Sequence, residues 1–148
     1  MLQLTRAGEY AMRAMFHIAA SHNGNAVNIP DISAEWDIPE TFLRKLIPKL
    51  VKAGLVLSQK GNGGGLRLAQ HASEISALNI VEAIEGKIQI NECMVNDSYC
   101  RHKPICAMSD LWAEAEYQMR DLLANKSLDD LLTQFQLTNG KNKPNTAD

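Results

Sequence analysis

Apolar residues recur at helical spacing through the first part of the chain. Residues 5–22 carry them three and four positions apart, and Thr5 is of the type that caps a helix start. A short helix over 29–36 has Pro30 in its first turn, and residues 37–39 interrupt the period. We therefore expect two helices, the first ending near the Asn23-Gly24 turn signal.

A longer amphipathic helix is predicted over residues 40–53, with Gly54 placed to end it. Its apolar stripe consists of Leu43, Leu46, Ile47 and Leu50. Two short apolar runs, 55–60 and 66–68, then flank the glycine-rich segment 61–65, and this arrangement is typical of a β-hairpin with a tight tip. The pattern thus predicts helix, turn, helix, hairpin.

The second half of the chain is helical by the same criterion. A short helix is expected to begin at Ser76 or Ala77 and to end before Gly86. After Cys106 a longer helix carries apolar residues at alternating spacings of four and three, which is the seam of a coiled coil: Met108, Trp112, Ala115, Met119 and Leu122. Leu111 and Leu123 widen this seam. The stripe predicts pairing with a second subunit, and folding back onto its own domain is the alternative. Ser127 has capping-box spacing to an acid and opens a short final helix. The tail 139–148 is rich in Asn and Lys and is expected to be disordered.

The composition narrows the class of protein. The chain has 148 residues, 45% of them hydrophobic, which suffices for one compact domain with an added dimerisation element. No stretch of about 18 apolar residues and no secretory leader is present, so we expect a cytoplasmic protein without a membrane partner. An odd number of cysteines, three, all within 93–106, indicates metal binding or redox chemistry and not a disulfide framework.

Charge is distributed unevenly along the chain. The net charge is −2, but residues 1–70 carry a balance of +3 and residues 71–148 a balance of −5. Within 39–69 six Lys/Arg face a single acid, Glu40. This local excess of positive charge is a footprint for nucleic acid on the longer helix and the hairpin.

The order of these elements is that of a winged helix-turn-helix, in which a helix enters the major groove and the hairpin reaches the neighbouring backbone or minor groove. The alternative is a solvated basic helix beside an ordinary hairpin. The glycine run lacks the Gly-Lys-Ser/Thr ending of a phosphate loop. The candidate DNA-binding residues are Glu40, Thr41 and Arg44 for base edges, Lys45, Lys49 and Lys52 for phosphates, and Lys60, Asn62 and Arg67 on the wing.

The cysteines are the second candidate site. Cys93, Cys100 and Cys106 are separated by six and five residues, unlike common zinc spacings, and thiolates in irregular loops suit an iron–sulfur cluster. Zinc, sensing by thiol oxidation without a cluster, and thiols without function stay open. His102 is the nearest candidate for a fourth ligand. No Cys-x-x-Cys pair, nucleotide motif or substrate-pocket signal supports an enzyme or a small-molecule substrate.

From Leu4 to about Leu132 the chain resembles the winged-helix iron–sulfur repressors of the IscR and NsrR type. The resembling stretches are residues 4–11, 42–56 and 61–68, together with the three spaced cysteines before Trp112. The resemblance implies a mainly α fold, a winged helix-turn-helix with a long C-terminal dimerisation helix. It also implies a homodimer on palindromic operator DNA and a 2Fe-2S or 4Fe-4S cluster whose presence changes DNA affinity.

Two positions bear on the subtype. IscR-type proteins place a histidine ligand three residues after the last cysteine, where this chain has Ser109, whereas NsrR-type proteins take a carboxylate from the first helix of the other subunit, where this chain has Glu9. The resemblance is therefore closer to NsrR. It implies a cluster held by Cys93, Cys100, Cys106 and Glu9 of the partner subunit, and it favours nitric oxide over iron supply or redox state as the signal.

The expected organisation has four parts. Residues 1–86 form the DNA-binding domain and 87–107 the cluster-binding loop. Residues 108–138 form the dimerisation helix and the C-terminal helix, and 139–148 form the tail.

Overall fold

The computed structural model describes residues 4–21, 24–96 and 98–141. This part of the chain is mainly helical, with one two-stranded antiparallel sheet. The elements are α1 (Arg6–Ala20), α2 (Ile29–Trp36), α3 (Glu40–Lys52), β1 (Val56–Gln59), β2 (Gly65–Leu68), α4 (Ala77–Glu85), α5 (Glu92–Val95), a 3-10 turn (Lys103–Ile105), α6 (Ala107–Ala124) and α7 (Leu128–Lys141).

Helices α1, α2 and α3 form the centre of the fold. The side chain of Thr5 caps α1 by accepting from the Gly8 N–H at 3.3 Å. Asp37 ends α2 with a left-handed backbone, φ 51°, which turns the chain into α3. The apolar stripes of these helices meet α4 and the hairpin in one core, whose fully enclosed members include Ala11, Met15, Ile32, Ile38, Leu43, Leu50, Ile75 and Ile80.

The end of α3 directs the chain into the hairpin. Gly54 has φ 73°, a conformation that favours glycine, and its N–H donates to the Val51 carbonyl at 2.9 Å. The Leu55 N–H donates to the Leu50 carbonyl at 3.0 Å, which completes a Schellman motif. The predicted cap at Gly54 is confirmed.

The hairpin pairs Val56 with Leu68 and Gln59 with Gly65. At its tip the Gly64 N–H donates to the Gly61 carbonyl at 2.9 Å, and a Cβ added at Gly64 would lie 2.4 Å from the Gln59 carbonyl oxygen. The turn therefore requires glycine there. Val27, just before α2, forms an isolated bridge with Leu66 of the wing and so fixes the hairpin to the helices.

Helices α4, α6 and α7 differ in how they attach to this core. Helix α4 contacts α1 and α3, and a capping box between Ser76 and Asn79 starts it. Helix α6 contacts α4 and α5 but has no buried residue. Helix α7 returns to α1, where Leu128 is fully buried and Phe135 contacts Phe16 at 5.3 Å between ring centroids.

The predicted helices and hairpin are confirmed in type and position, with one correction. Helix α7 continues to Lys141, so the first three residues of the segment expected to be disordered, 139–141, are helical. Residues 142–148 lie outside the described residues, as do His22 and Asn23 at the expected end of the first helix. None of the helices in the described ranges is long and apolar enough to cross a membrane.

Candidate DNA interface and cysteine loop

Helix α3 has one buried apolar face and one exposed polar face. Its apolar stripe is buried, whereas Thr41, Arg44, Lys45, Lys49 and Lys52 are exposed on the other side. The carboxylate of Glu40 pairs with the Arg44 guanidinium at 3.2 Å, with side chains 43% and 62% exposed. A pair so open to solvent stabilises the helix by less than about 1 kcal/mol, so Arg44 can exchange Glu40 for another partner at low cost.

Arg44 also lies near the hairpin. It lines a cleft of about 420 Å³ together with Ser58 of β1, Gly65 of β2 and the first residues of α2, 29–31. Helix α3 and the wing therefore present one continuous surface, with an arginine at their junction.

The three wing candidates Lys60, Asn62 and Arg67 are exposed. Lys60 precedes the glycine-rich tip and Asn62 lies within it. Successive side chains of a strand point to opposite faces, so Arg67 points away from the core that buries its neighbour Leu66. Among all the DNA-binding candidates on α3 and the wing, Glu40 is half-buried and the others are exposed. The basic candidates are thus all exposed, and their contacts with DNA stay a prediction.

The three cysteines lie on the connection between α4 and α6. Cys93 is in the single turn of α5, Cys100 lies between α5 and the 3-10 turn, and Cys106 is the N-cap of α6. All three are half-buried free thiols. Their donor chemistry fits a thiolate-held metal or cluster, but within the described ranges no three His, Cys, Asp or Glu side chains converge on a metal position.

The two candidates for a fourth ligand have different surroundings. Glu9 is exposed in the first turn of α1. His102 is exposed beside the cysteines, and its Nε2 accepts from the Arg101 Nε at 3.3 Å. The structure brings neither of them into a ligand group with the cysteines, so the choice between them stays open.

Sequence reasoning missed the contacts that hold the segment leading to the cysteines. The Ile88 N–H donates to Glu82 Oε1 at 3.2 Å, and the Ile90 N–H donates to Glu116 Oε2 at 3.3 Å. Glu82 also forms an ion pair with Arg120 of α6. These partners are up to 38 positions apart in the chain, and no local pattern announces them.

A third contact closes this arrangement. With the Asn91 amide nitrogen donating to the Ile90 carbonyl at 3.1 Å, the Asn91 side-chain oxygen accepts from the Trp112 indole N–H at 3.3 Å. Asn91 is the N-cap of α5, two residues before Cys93. The entry to the cysteine loop is therefore attached to both α4 and α6.

Comparison with known proteins gives this geometry a context. The sequence pattern of the Rrf2 family, described as iron-dependent transcriptional regulators, matches residues 4–134. The chain belongs to the Rrf2 family. Its resemblance to IscR-type regulators is thereby confirmed, and the closer likeness to NsrR stays a prediction.

Curated relatives of this Rrf2 regulator carry the name of a helix-turn-helix transcriptional regulator, IscR. The protein of Vibrio parahaemolyticus is 33% identical over 132 residues, 89% of this chain and 78% of the relative. That of Pectobacterium atrosepticum is 30% identical over 145 residues, 98% of this chain and 88% of the relative.

Solved structures agree with the fold. CymR of B. subtilis, a global cysteine regulator, has a TM-score of 0.75 at 25% identity and covers 90% of this chain and 98% of its own. T. potens IscR has a TM-score of 0.73 at 26% identity and covers 90% and 88%. The Rrf2 regulator is thus a mainly α winged-helix, DNA-binding transcriptional regulator, and its family consists of regulators and not enzymes.

Proposed function

We propose that this Rrf2 regulator is a repressor that binds palindromic operator DNA in the cytoplasm as a homodimer, and that an iron–sulfur cluster controls its affinity. The observation that carries the proposal is the position of three free cysteines between the DNA-reading half and a helix whose apolar stripe is exposed. A ligand bound by these cysteines would lie between the part that reads DNA and the part that forms the dimer.

DNA reading is assigned to α3 and the wing. In a major groove the first turn of α3 presents Glu40, Thr41 and Arg44 to base edges, where arginine pairs with guanine and a carboxylate accepts from cytosine. Lys45 and Lys49 lie further along the exposed face and meet phosphates. Lys60, Asn62 and Arg67 of the wing contact the adjacent backbone or minor groove.

Dimerisation is assigned to α6. Its stripe leaves Met108 59%, Leu111 59% and Leu122 60% exposed in the single chain. Such a stripe at coiled-coil spacing is stabilised by pairing with the same stripe of a second copy. A two-fold symmetric dimer presents two α3 helices to two half-sites, and this symmetry is what makes the preferred operator palindromic.

The cluster ligands are assigned to Cys93, Cys100, Cys106 and Glu9 of the partner subunit. Iron held by thiolates is open to attack by nitric oxide and to changes in iron supply and redox state, with nitric oxide the favoured signal. Glu9 lies on α1, which packs against α3 and α4, so a ligand from α1 joins one subunit's DNA-binding domain to the other subunit's cysteine loop. Ligand binding and dimer geometry are then one event.

A second candidate function has an observation in its favour. The described part of one chain does not bring three metal donors together, and CymR of Staphylococcus aureus, a structural neighbour with a TM-score of 0.69, has been solved in an oxidised form. A regulator that senses through thiol oxidation or zinc without a cluster would have the same fold. Iron and sulfide analysis after anaerobic purification separates the two, because only the cluster proposal requires both elements.

The test of the proposal is a titration of operator DNA at several salt concentrations, with and without the cluster. The logarithm of the binding constant is expected to fall linearly with the logarithm of salt, because phosphate contacts release counterions. Glu9→Ala is expected to abolish cluster absorption and the cluster-dependent change in affinity, and His102→Ala to preserve both. The reverse result would assign the fourth ligand to His102. Binding without salt dependence or sequence preference would refute operator recognition.

A further inference from the structure

We infer that Arg120 and Glu82 are positioning residues, and that their ion pair is the contact through which the state of the cysteine loop reaches the recognition helix α3. The inference rests on the proposed function, since it assigns the route by which cluster occupancy changes DNA affinity. It concerns residues outside the ligand set, the DNA surface and the apolar stripe.

Helix α6 is attached to its own domain by half-buried side chains and by an ion pair. None of its residues is fully buried, and Met119 and Leu123 are half-buried, so apolar packing within the chain leaves part of its orientation to polar contacts. The Arg120 and Glu82 side chains are each 27% exposed, compared with 62% and 43% for the Arg44–Glu40 pair. The more enclosed pair interacts in a lower dielectric and is less screened by salt. Its geometry therefore sets where α6 lies on α4.

The Glu82 carboxylate also holds the segment that leads into the cysteine loop. Glu82 Oε1 accepts the Ile88 N–H at 3.2 Å in addition to binding Arg120. Glu116, one turn before Arg120, accepts the Ile90 N–H at 3.3 Å. The backbone on the way to Cys93 is thus held between a residue of α4 and residues of α6, and it cannot shift without disturbing both helices.

Helix α6 itself connects the cysteine loop to the ion pair, because Cys106 lies at its start and Arg120 near its end. Cys106 is the N-cap of α6, and Arg120 lies 14 residues later, about 21 Å along the axis at the rise of an α-helix. A movement of Cys106 is carried along this helix to Arg120 as a change of position or tilt. The cysteine loop is therefore coupled to Glu82 by two paths, through its entry segment and through α6.

The final step leads from α4 to DNA. Glu82 follows Ile80 and Val81, which are buried, and Ile80 belongs to the core that includes Leu43 and Leu50 of α3. Because α4 contacts both α3 and α6, a shift of Glu82 changes the support on which the recognition helix rests. Packed cores respond to such shifts by changing between discrete arrangements.

The experiment measures the ratio of operator dissociation constants with and without the cluster in the full-length dimer. Coupling between two sites is typically about 5- to 150-fold, and the wild type is expected in that range. Arg120→Ala is expected to bring the ratio to about 1, with cluster absorption and iron content retained. Arg120→Lys, which keeps the charge, is expected to restore most of the ratio.

A matched control lies on the same helix. Glu114 accepts from Gln118 within α6 at 2.6 Å, and Glu114→Ala is expected to leave the ratio unchanged. If Arg120→Ala does not fold, Glu82→Gln replaces it, because glutamine removes the charge and keeps an oxygen for the Ile88 N–H. Melting temperatures of all variants separate loss of stability from loss of coupling.

The outcomes distinguish the inference from the proposal beneath it. A wild-type ratio of about 1 would overturn both, because there would be no coupling to transmit. A wild-type ratio above about fivefold that survives in Arg120→Ala and Glu82→Gln would overturn the inference and leave the proposed function standing. Equal loss in Glu114→Ala would also overturn it, since any change in α6 would then suffice.

Discussion

Two amphipathic helices of this chain, α3 and α6, differ in how far their apolar stripes are buried. The apolar stripe of α3 is buried, with Leu43 and Leu50 at 0% exposure, whereas that of α6 leaves Leu122 60% exposed. The difference extends to whole regions: the buried hydrophobic side chains lie within residues 11–81 and at Leu128, and the described residues between 82 and 127 contribute none. The DNA-reading half thus has a hydrophobic core of its own, whereas the described residues of the cysteine–α6 half include no fully buried side chain.

The proposed function assigns sensing to the second region, and the lack of buried side chains there is consistent with that assignment. A segment with no buried side chain has a low free energy cost for local rearrangement. Contact with a ligand or a second subunit can therefore decide its arrangement. The first region, by comparison, holds α3 and the wing through buried side chains of its own.

The largest expected effect tests whether the exposed stripe of α6 pairs with a second subunit. Leu122→Asp places a charge in the predicted dimer seam, and an unpaired charge buried at an interface costs about 3–5 kcal/mol. We expect the dimer dissociation constant to rise by about 100-fold or more, measured by sedimentation equilibrium. Tyr117→Asp is the control, because Tyr117 is 63% exposed and lies off the stripe. Equal weakening by both substitutions would contradict α6 pairing.

The next effect tests the hydrophobic core of the DNA-reading half. Leu50→Ala removes a fully buried side chain, and we expect a loss of about 2–5 kcal/mol in the free energy of unfolding, measured with urea. The neighbouring Lys49→Ala is expected to stay within about 0.5 kcal/mol, since Lys49 is exposed. Similar values for the two variants would remove the basis for a separate core in this region.

A smaller effect sharpens the assignment of the DNA surface. Arg44→Ala is expected to weaken operator binding by about 1–3 kcal/mol and to relax the preference at one base position. Lys49→Ala is expected to weaken binding to all sequences alike and to lower the salt slope by about 0.9. Titrations of operator and mismatched DNA distinguish the two patterns. If the patterns were exchanged, the roles of base reader and phosphate contact would be exchanged as well.

The smallest effect concerns pH and the junction between the two regions. The Ser127 backbone N–H, at 2.9 Å, and hydroxyl, at 2.8 Å, donate to Asp130 and lower the pKa of that carboxyl below its ordinary value of 3.8. Its contribution to stability is therefore present above pH 3.8 and is lost as the pH falls through the lowered value.

Asp130→Asn is expected to reduce stability at neutral pH, with the gap to the wild type closing as the pH falls below 3.8. Urea unfolding of both proteins across this range measures the gap. A gap that stayed constant with pH would show that ionised Asp130 does not act through the capping box.

How far the sequence determines the fold differs between the regions. Helices α1 to α4 and the hairpin were predictable because each carries its own periodicity and its own stop, such as Gly54 and Gly86. Helix α5 and the 3-10 turn span four and three residues, too few for a hydrophobic period to appear. Helix α7 was predicted too short, because the polar residues at its end hide a helix that continues to Lys141.

The candidate sites divide in the same way. The exposure of the basic face of α3 follows from its amphipathic pattern, so Arg44, Lys45 and Lys49 could be predicted from sequence to be exposed. The Glu82–Arg120 pair could not, because it joins residues 38 positions apart and leaves no local signal. In the proposed function the three cysteines bind the cluster together with a carboxylate of a second subunit, and a single sequence does not give the geometry between two copies.

Native mass spectrometry of the anaerobically purified protein, with operator binding followed in parallel, tests the central claim most directly. The account predicts a dimer heavier than the apoprotein by iron and sulfide, the loss of that mass on treatment with nitric oxide, and a simultaneous change in operator affinity. Cys100→Ala should give a dimer without iron or sulfide. A dimer that contains neither element and binds the operator with the same affinity before and after nitric oxide would contradict it.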